Sequence, residues 1–225
     1  MGSFLSSSLT LSTVPSLSVQ EETVLLETLD GVTIEAGIVR SDASQPVATV
    51  IIGHPHPLYG GDRSNHVVRA LQIAAWEKHC HSIAVNFRGV GYSGGEHDNG
   101  DSERLDLVAA CELADMIEPD HDIIMAGYSF GAVVALNVTY PLISAWVAIA
   151  PPVSLMSSTP TASSHHRPKY LFVPQHDQYS TPEQIRAHVS QWSATSVSDI
   201  QGVDHFIAVG AHDVAQEALS QALHS

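Results

Sequence analysis

Residues 123–138 read IIMAGYSFGAVVALNV. An apolar run ends at Gly127, a single serine follows after Tyr128, and from Phe130 the chain is small and apolar again. That is a buried strand running into a buried helix, with Ser129 at the junction. The spacing GxSxG lets such a chain turn sharply. Gly127 and Gly131 leave room where helix and sheet nearly touch, and the serine between them is held in a strained turn with its oxygen exposed. A turn of this kind belongs at the carboxyl end of a strand in an open parallel sheet, where the binding crevice lies.

The same alternation extends in both directions. Upstream, VLLETLDGVTIEAGIV (24–39) predicts two short strands joined by a turn at Asp30 and Gly31. ATVIIG (48–53) predicts a strand covered on both faces, HVVRALQIAAWEKHC (66–80) a helix, SIAVN (82–86) a strand and RLDLVAACELADMI (104–117) a helix. Downstream, the helix from Phe130 is predicted to reach Tyr140, where Pro141 stops it. SAWVAIA (144–150), KYLFVP (169–174) and VSDI (197–200) predict strands, and PEQIRAHVSQW (182–192) and AHDVAQEALSQALH (211–224) predict helices. Strands alternating with amphipathic helices imply an α/β fold with a mostly parallel sheet covered on both faces. Residues 1–20, rich in serine and threonine, are expected to be a flexible arm, and residues 21–225 a single domain. The irregular stretch from Pro151 to Pro168 is long enough to line a pocket and too short for a domain.

The composition narrows the partners. Nine basic residues against 24 acidic ones give a net charge of −15, with Lys78 and Lys169 the only lysines. Such a surface repels phosphate backbones and anionic headgroups, so neither nucleic acid nor membrane is an expected partner. Nothing approaches the roughly 20 apolar residues of a membrane span. The first 39 residues hold no lysine or arginine, so neither a secretory signal nor a transit peptide is expected, and cytoplasm is the expected location. Cys80 and Cys111 both fall in predicted helices, which reads as packing rather than a disulfide. Monomer and homodimer stay open.

A serine hydroxyl attacks a carbonyl poorly unless a base takes its proton. Among 14 histidines, His205 stands on the loop between the last predicted strand and the last helix, at the same sheet edge as Ser129. His212 and His224 fall in or beside that helix. The base needs a carboxylate to orient it, and Asp177 ends an apolar strand where that third member belongs. Asp204 adjoins His205, but neighbouring side chains of an extended loop point apart. The developing oxyanion needs N–H donors: Phe130 supplies one and His56, in GHPHP, the other, since Pro55 and Pro57 have none.

Two other segments invite rival readings. His54 and His56 with His97 or Asp62 could ligate a metal, but their spacing is not that of HExxH and no fixed third ligand stands out. His54 reads instead as a brace for its loop. The glycine-rich NFRGVGYSGGEHDNG (86–100) lacks the lysine of a phosphate loop and opens no helix directly, so it reads as a tight loop with Arg88 tying its neighbours. No cofactor and no metal are expected.

The segments GHPHPLYGGD (53–62), NFRGVGYSGG (86–95), GYSFGA (127–132), VPQHDQYSTP (173–182) and GVDHFI (202–207) together resemble the alpha/beta hydrolases. The likeness is to the small bacterial-type serine esterases and hydrolases with an HPHP oxyanion loop and no large cap, and it spans residues 21–223. It implies a mostly parallel eight-stranded sheet, its second strand antiparallel, with helices on both faces. Carried over by position, it makes Ser129 the nucleophile, His205 the base, Asp177 the acid and the N–H groups of His56 and Phe130 the oxyanion donors. The expected activity is that of a carboxylesterase on small or short-acyl esters, passing through an acyl-enzyme. A thioesterase, or a peptidase or amidase of small substrates, would use the same triad. A binding or scaffold protein that kept the elbow is the non-enzymatic alternative. Leu58, Tyr59, Phe130, Val153, Leu155, Met156 and Phe206 are expected to give the pocket an apolar lining.

Overall fold

The computed structural model describes residues 20–156 and 158–224. The expected N-terminal arm lies almost wholly outside the described residues. Eight strands form one sheet: β1 (Glu21–Glu27), β2 (Thr33–Val39), β3 (Thr49–Gly53), β4 (His81–Val85), β5 (Ile123–Tyr128), β6 (Ile143–Ile149), β7 (Lys169–Pro174) and β8 (Thr195–Ile200). Their spatial order is β1-β2-β4-β3-β5-β6-β7-β8. β2 pairs antiparallel with both neighbours, and every pair from β4 onward across the sheet is parallel. The central strands β3, β4 and β5 are buried along their whole length, whereas the edge strands β1 and β8 are only partly covered. Continuous apolar runs in the centre and mixed ones at the edges follow from that difference.

Helices α1 (His66–Glu77) and α5 (Ala211–Leu223) cover one face. Helices α2 (Glu103–Ile117), α3 (Phe130–Leu136) and α4 (Pro182–His188) cover the other. From β3 the chain crosses through α1 to β4 on one side, then returns through α2 to β5 on the other. The strand order therefore reverses between β3 and β5, and the crevice opens at their carboxyl ends. Gly53 and Gly127, the register partners at that point, mark its floor.

Three details differ from the sequence expectation. Helix α3 stops at Leu136, four residues short of Tyr140, where the Asn137 amide donates to the Val133 carbonyl in competition with the helical ladder. Helix α4 likewise ends at His188 rather than Trp192. Cys80 stands in the connection before β4, not in α1, because the backbone leaves the helix through His79 at φ 58°. Both cysteines are buried free thiols, and burial pushes the Cys80 thiol up to about 11.

The two lysines sit toward the amino-terminal edge of the parallel strands. Lys169, at the start of β7, is fully buried, and its ammonium donates to the carbonyls of His165 (2.6 Å) and Arg167 (2.9 Å). Lys78, at the end of α1, donates to the Ser220 hydroxyl of α5 at 2.7 Å. Among the described residues no helix is long and apolar enough to cross a membrane.

Candidate active site

Ser129 follows β5 directly and precedes α3, with φ 55° and ψ −118°. This region costs a non-glycine residue on the order of 1–3 kcal/mol and persists only where the surroundings dictate it. Here they do. A Cβ on Gly127 would stand 2.2 Å from the Gly131 carbonyl oxygen, and one on Gly131 would stand 2.3 Å from that of Gly53. Both glycines are thus required by the close approach of α3 to β3 and β5. The Ser129 N–H donates to the Ile149 carbonyl at 2.8 Å, pinning the turn to β6.

The Ser129 Oγ lies 2.8 Å from His205 Nε2, and His205 Nδ1 lies 2.8 Å from Asp177 Oδ2. A carboxylate only accepts, so Nδ1 carries the proton and Nε2 presents its lone pair to the serine. The other Asp177 oxygen accepts from the N–H groups of Tyr179 (2.8 Å) and Ser180 (3.1 Å). All three residues are buried. Such a chain can draw a proton from the hydroxyl as it attacks a carbonyl. Asp204 is turned away, its carboxylate accepting from the Phe206 N–H at 3.0 Å. His212 and His224 lie on and just past α5, beside Glu77 and the Ser220 carbonyl respectively.

Two residues that the sequence reading left out hold this chain in place. The Tyr128 hydroxyl donates to the backbone carbonyl of His205 at 2.7 Å, and its ring stacks on the imidazole at 5.8 Å. Burial raises the Tyr128 phenol well above its ordinary value, so it stays a donor. Tyr179 meets the same imidazole edge-on at 4.5 Å. Tyr128 was visible as the bulky residue of GYSFG, but its partner stands 77 residues downstream and no local signal connects them.

Across the crevice, the loop after β3 carries His54 and His56. His54 is fully buried: its Nδ1 donates to the Pro55 carbonyl at 2.6 Å, and its Nε2 accepts from the Phe87 N–H at 3.0 Å. Burial lowers its pKa to about 4, keeping it neutral. Both ring nitrogens are engaged, so neither is left for a metal. The His56 ring packs between Tyr59 (4.8 Å) and Phe130 (4.9 Å), and burial, with help from His97, lowers its pKa as well. The far end of the loop is tethered through Arg63, whose guanidinium reaches Glu21 (2.8 Å) and Glu35 (3.0 Å). Phe130 is the first residue of α3, where an N–H has no intrahelical acceptor.

Residues 89–94 carry the spacing GxGxxG of a dinucleotide loop, yet they fold as turns rather than as a strand-to-helix junction. The Gly89 N–H donates to the Gly94 carbonyl, and α2 begins only at Glu103. Arg88, beside them, bonds Asp106 (2.7 Å) and Asp30 (2.9 Å), joining α2 to the β1–β2 turn.

A pocket of about 330 Å³ opens over Ser129 and His205. His56, Tyr59, Leu155 and Phe206 line it, as do Tyr128 and Tyr179. Leu58, Val153, Met156 and Phe130 are not among its lining. Leu58 is exposed, Val153 and Met156 pack on the α2–α3 face, and the Phe130 ring is buried against Phe87. Residues 57–59 and 153–155 are single 3₁₀ turns, whose successive side chains point about a third of a turn apart. Each turn therefore gives its last residue, Tyr59 or Leu155, to the pocket and directs another elsewhere. Of the Pro151–Pro168 stretch, Pro152, Ser154 and Leu155 form a side wall, fixed where the Val153 N–H donates to the Ser180 hydroxyl at 2.8 Å.

Residues 52–221 match the model of the alpha/beta hydrolase family, and the chain belongs to that family. It is a capless, serine-hydrolase-type member. It is similar to an alpha-beta serine hydrolase homologue from Coxiella burnetii: 30% identity, 93% of this chain, 99% of that one, TM-score 0.80. A serine hydrolase without a lid from Xanthomonas campestris shares the fold at TM-score 0.78 with 24% identity, over 94% of this chain and 97% of that one. An uncharacterized protein of Rickettsia prowazekii is 38% identical over 112 residues, 48% of this chain. That match spans a little under half, 46%, of the curated relative's length.

Proposed function

We propose that this protein is a carboxylesterase acting on small or short-acyl esters. Ser129 Oγ attacks the ester carbonyl as His205 Nε2 takes its proton, forming the C–O bond of a tetrahedral intermediate. The N–H groups of His56 and Phe130 take the negative charge on the former carbonyl oxygen. When that intermediate collapses, the ester C–O bond breaks and the proton on Nε2 passes to the departing alcohol. Water, losing a proton to His205, then attacks the acyl-enzyme; the acid leaves and Ser129 regains its hydrogen.

The observation that carries this reading is the unbroken chain from Ser129 through His205 to Asp177, with both links at 2.8 Å and the serine held at φ 55°. A left-handed serine is expensive to keep, and the only group it presents is the hydroxyl facing His205. Incubation with a fluorophosphonate should give one stoichiometric adduct on Ser129 by intact mass and peptide mapping. Ser129→Ala should lose both adduct and ester turnover while unfolding at nearly the same temperature, because no core volume is removed. Wild-type esterase activity in that variant would sink the proposal.

A further inference from the structure

In the reaction proposed above, His205 must reach two oxygens in turn, that of Ser129 and that of the departing alcohol. The alcohol portion of the ester therefore lies on the His205 side of Ser129, away from the N–H donors that hold the carbonyl oxygen. Two aromatic rings stand on that side. Tyr179 meets the His205 imidazole edge-on at 4.5 Å, and Phe206 stands perpendicular to it at 5.8 Å. Both line the pocket, and each is about half exposed, at 53% and 54%. Their bare faces offer apolar area beside the bond that breaks.

The pocket's charge is equally one-sided. Among the described residues lining it there is no lysine or arginine, and the chain as a whole carries −15. A carboxylate or phosphate on the substrate would meet no cation there and would have to shed water unpaired.

We propose that the alcohol portion of the preferred substrate is an uncharged aromatic group, a phenol or an aryl-alkyl alcohol, seated against Tyr179 and Phe206. A flat ring can pack edge-to-face or offset on both, an arrangement worth more than the burial of equal apolar area. The inference rests on the serine esterase reading and adds to it the side of the ester that is recognised.

The test compares esters that differ only in ring saturation. Phenethyl acetate against cyclohexylethyl acetate places the ring in the alcohol, and ethyl hydrocinnamate against its cyclohexyl analogue places it in the acyl group. A merely greasy pocket favours the cyclohexyl member, which is the more hydrophobic. The wild type should instead favour phenethyl acetate by about fivefold in kcat/KM. That ratio should fall to about one in the Tyr179→Leu, Phe206→Leu double variant, while the acyl pair shows no aromatic preference in either protein. A para-carboxylate on the phenethyl ring should lower kcat/KM by roughly tenfold or more. If the double variant does not fold, or loses turnover because Tyr179 also packs on His205, competitive inhibition of the wild type by phenethyl alcohol and by cyclohexylethanol decides the point, the aromatic alcohol being expected to bind about fivefold tighter. An equal or reversed ratio, a ratio that survives the double variant, a preference confined to the acyl pair, or full tolerance of the carboxylate overturns the inference. Fluorophosphonate mapping of the same preparation separates the two levels. Ser129 labelled, with esters turned over indifferently, sinks this inference alone; Ser129 unlabelled, with no ester turned over, sinks the esterase reading and this with it.

Discussion

On one side of Ser129, the loop from Gly53 to Asn65 takes much of its shape from its own residues: two prolines, and a buried His54 bonded to the next residue and to the Phe87 N–H. On the other side, His205 and Asp177 arrive on loops 28 residues apart in sequence, and His205 stands 76 residues beyond the serine. What aligns them is side-chain bonding: Asp177 to Nδ1, Tyr128 to the His205 carbonyl, Tyr179 against the ring. The oxyanion side thus combines local shaping with tethers to Phe87, Glu21 and Glu35, while the alignment of the base depends on side chains that meet from distant parts of the chain. Loss of His54, which braces the first without touching the reacting atoms, should appear as lost stability, and damage to the second as lost turnover.

The largest expected effect is on the base side. Asp177→Asn should lower kcat by about ten-thousandfold, because an amide donating to Nδ1 puts the imidazole proton on Nε2, where it cannot accept from the serine. A loss of tenfold or less would show that the imidazole is oriented by Tyr128 and Tyr179 alone.

Next comes the oxyanion side, tested by pH. Folded His54 has a pKa of about 4 against the ordinary 6.5, so on acidification the unfolded chain takes up its proton first. Stability present above pH 6.5 is therefore lost as the pH falls toward 4, by on the order of 3 kcal/mol from this group. Denaturant unfolding of wild type and His54→Gln across that window should show a shallower slope for the variant, which can still accept from Phe87 but does not titrate. Parallel slopes would remove His54 from the account of the loop.

The smallest effect sharpens the comparison most. Tyr128→Phe keeps the ring and removes one hydrogen bond, which is worth about 1 kcal/mol. If that bond fixes the base, kcat should fall about tenfold with KM unchanged, and fluorophosphonate labelling of Ser129 should slow in proportion. An unchanged kcat with lowered thermal stability would reduce Tyr128 to a packing residue.

What the sequence made legible follows the same division. The strand and helix alternation, the crevice edge and the GxSxG turn are encoded in periods and glycine positions a few residues apart, and the mostly parallel sheet covered on both faces matches the expectation drawn from them, while its eight strands match what the family resemblance implied. The pocket wall was less legible: the directions of Leu58 and Val153 depend on single 3₁₀ turns that composition does not announce. The roles of Tyr128, at the end of β5, and of Tyr179, in a loop, were out of reach, because an aromatic residue at either place carries no mark of the distant ring or carbonyl it will meet. The end of α3 is not legible because Pro141 carries the stop signal in the sequence, whereas the Asn137 side chain acts first.

The placement of the two lysines bears on how the protein can be handled. Only Lys78 offers an amine side chain to a reagent such as an activated ester, since Lys169 is buried with its ammonium bonded to the His165 and Arg167 carbonyls. Lys78 lies beyond the last turn of α1, just ahead of β4, at the sheet edge away from the crevice. Immobilised on an amine-reactive support through that lysine, the molecule presents its pocket to the bulk solution, and a dye coupled there reports on tumbling without shading the site.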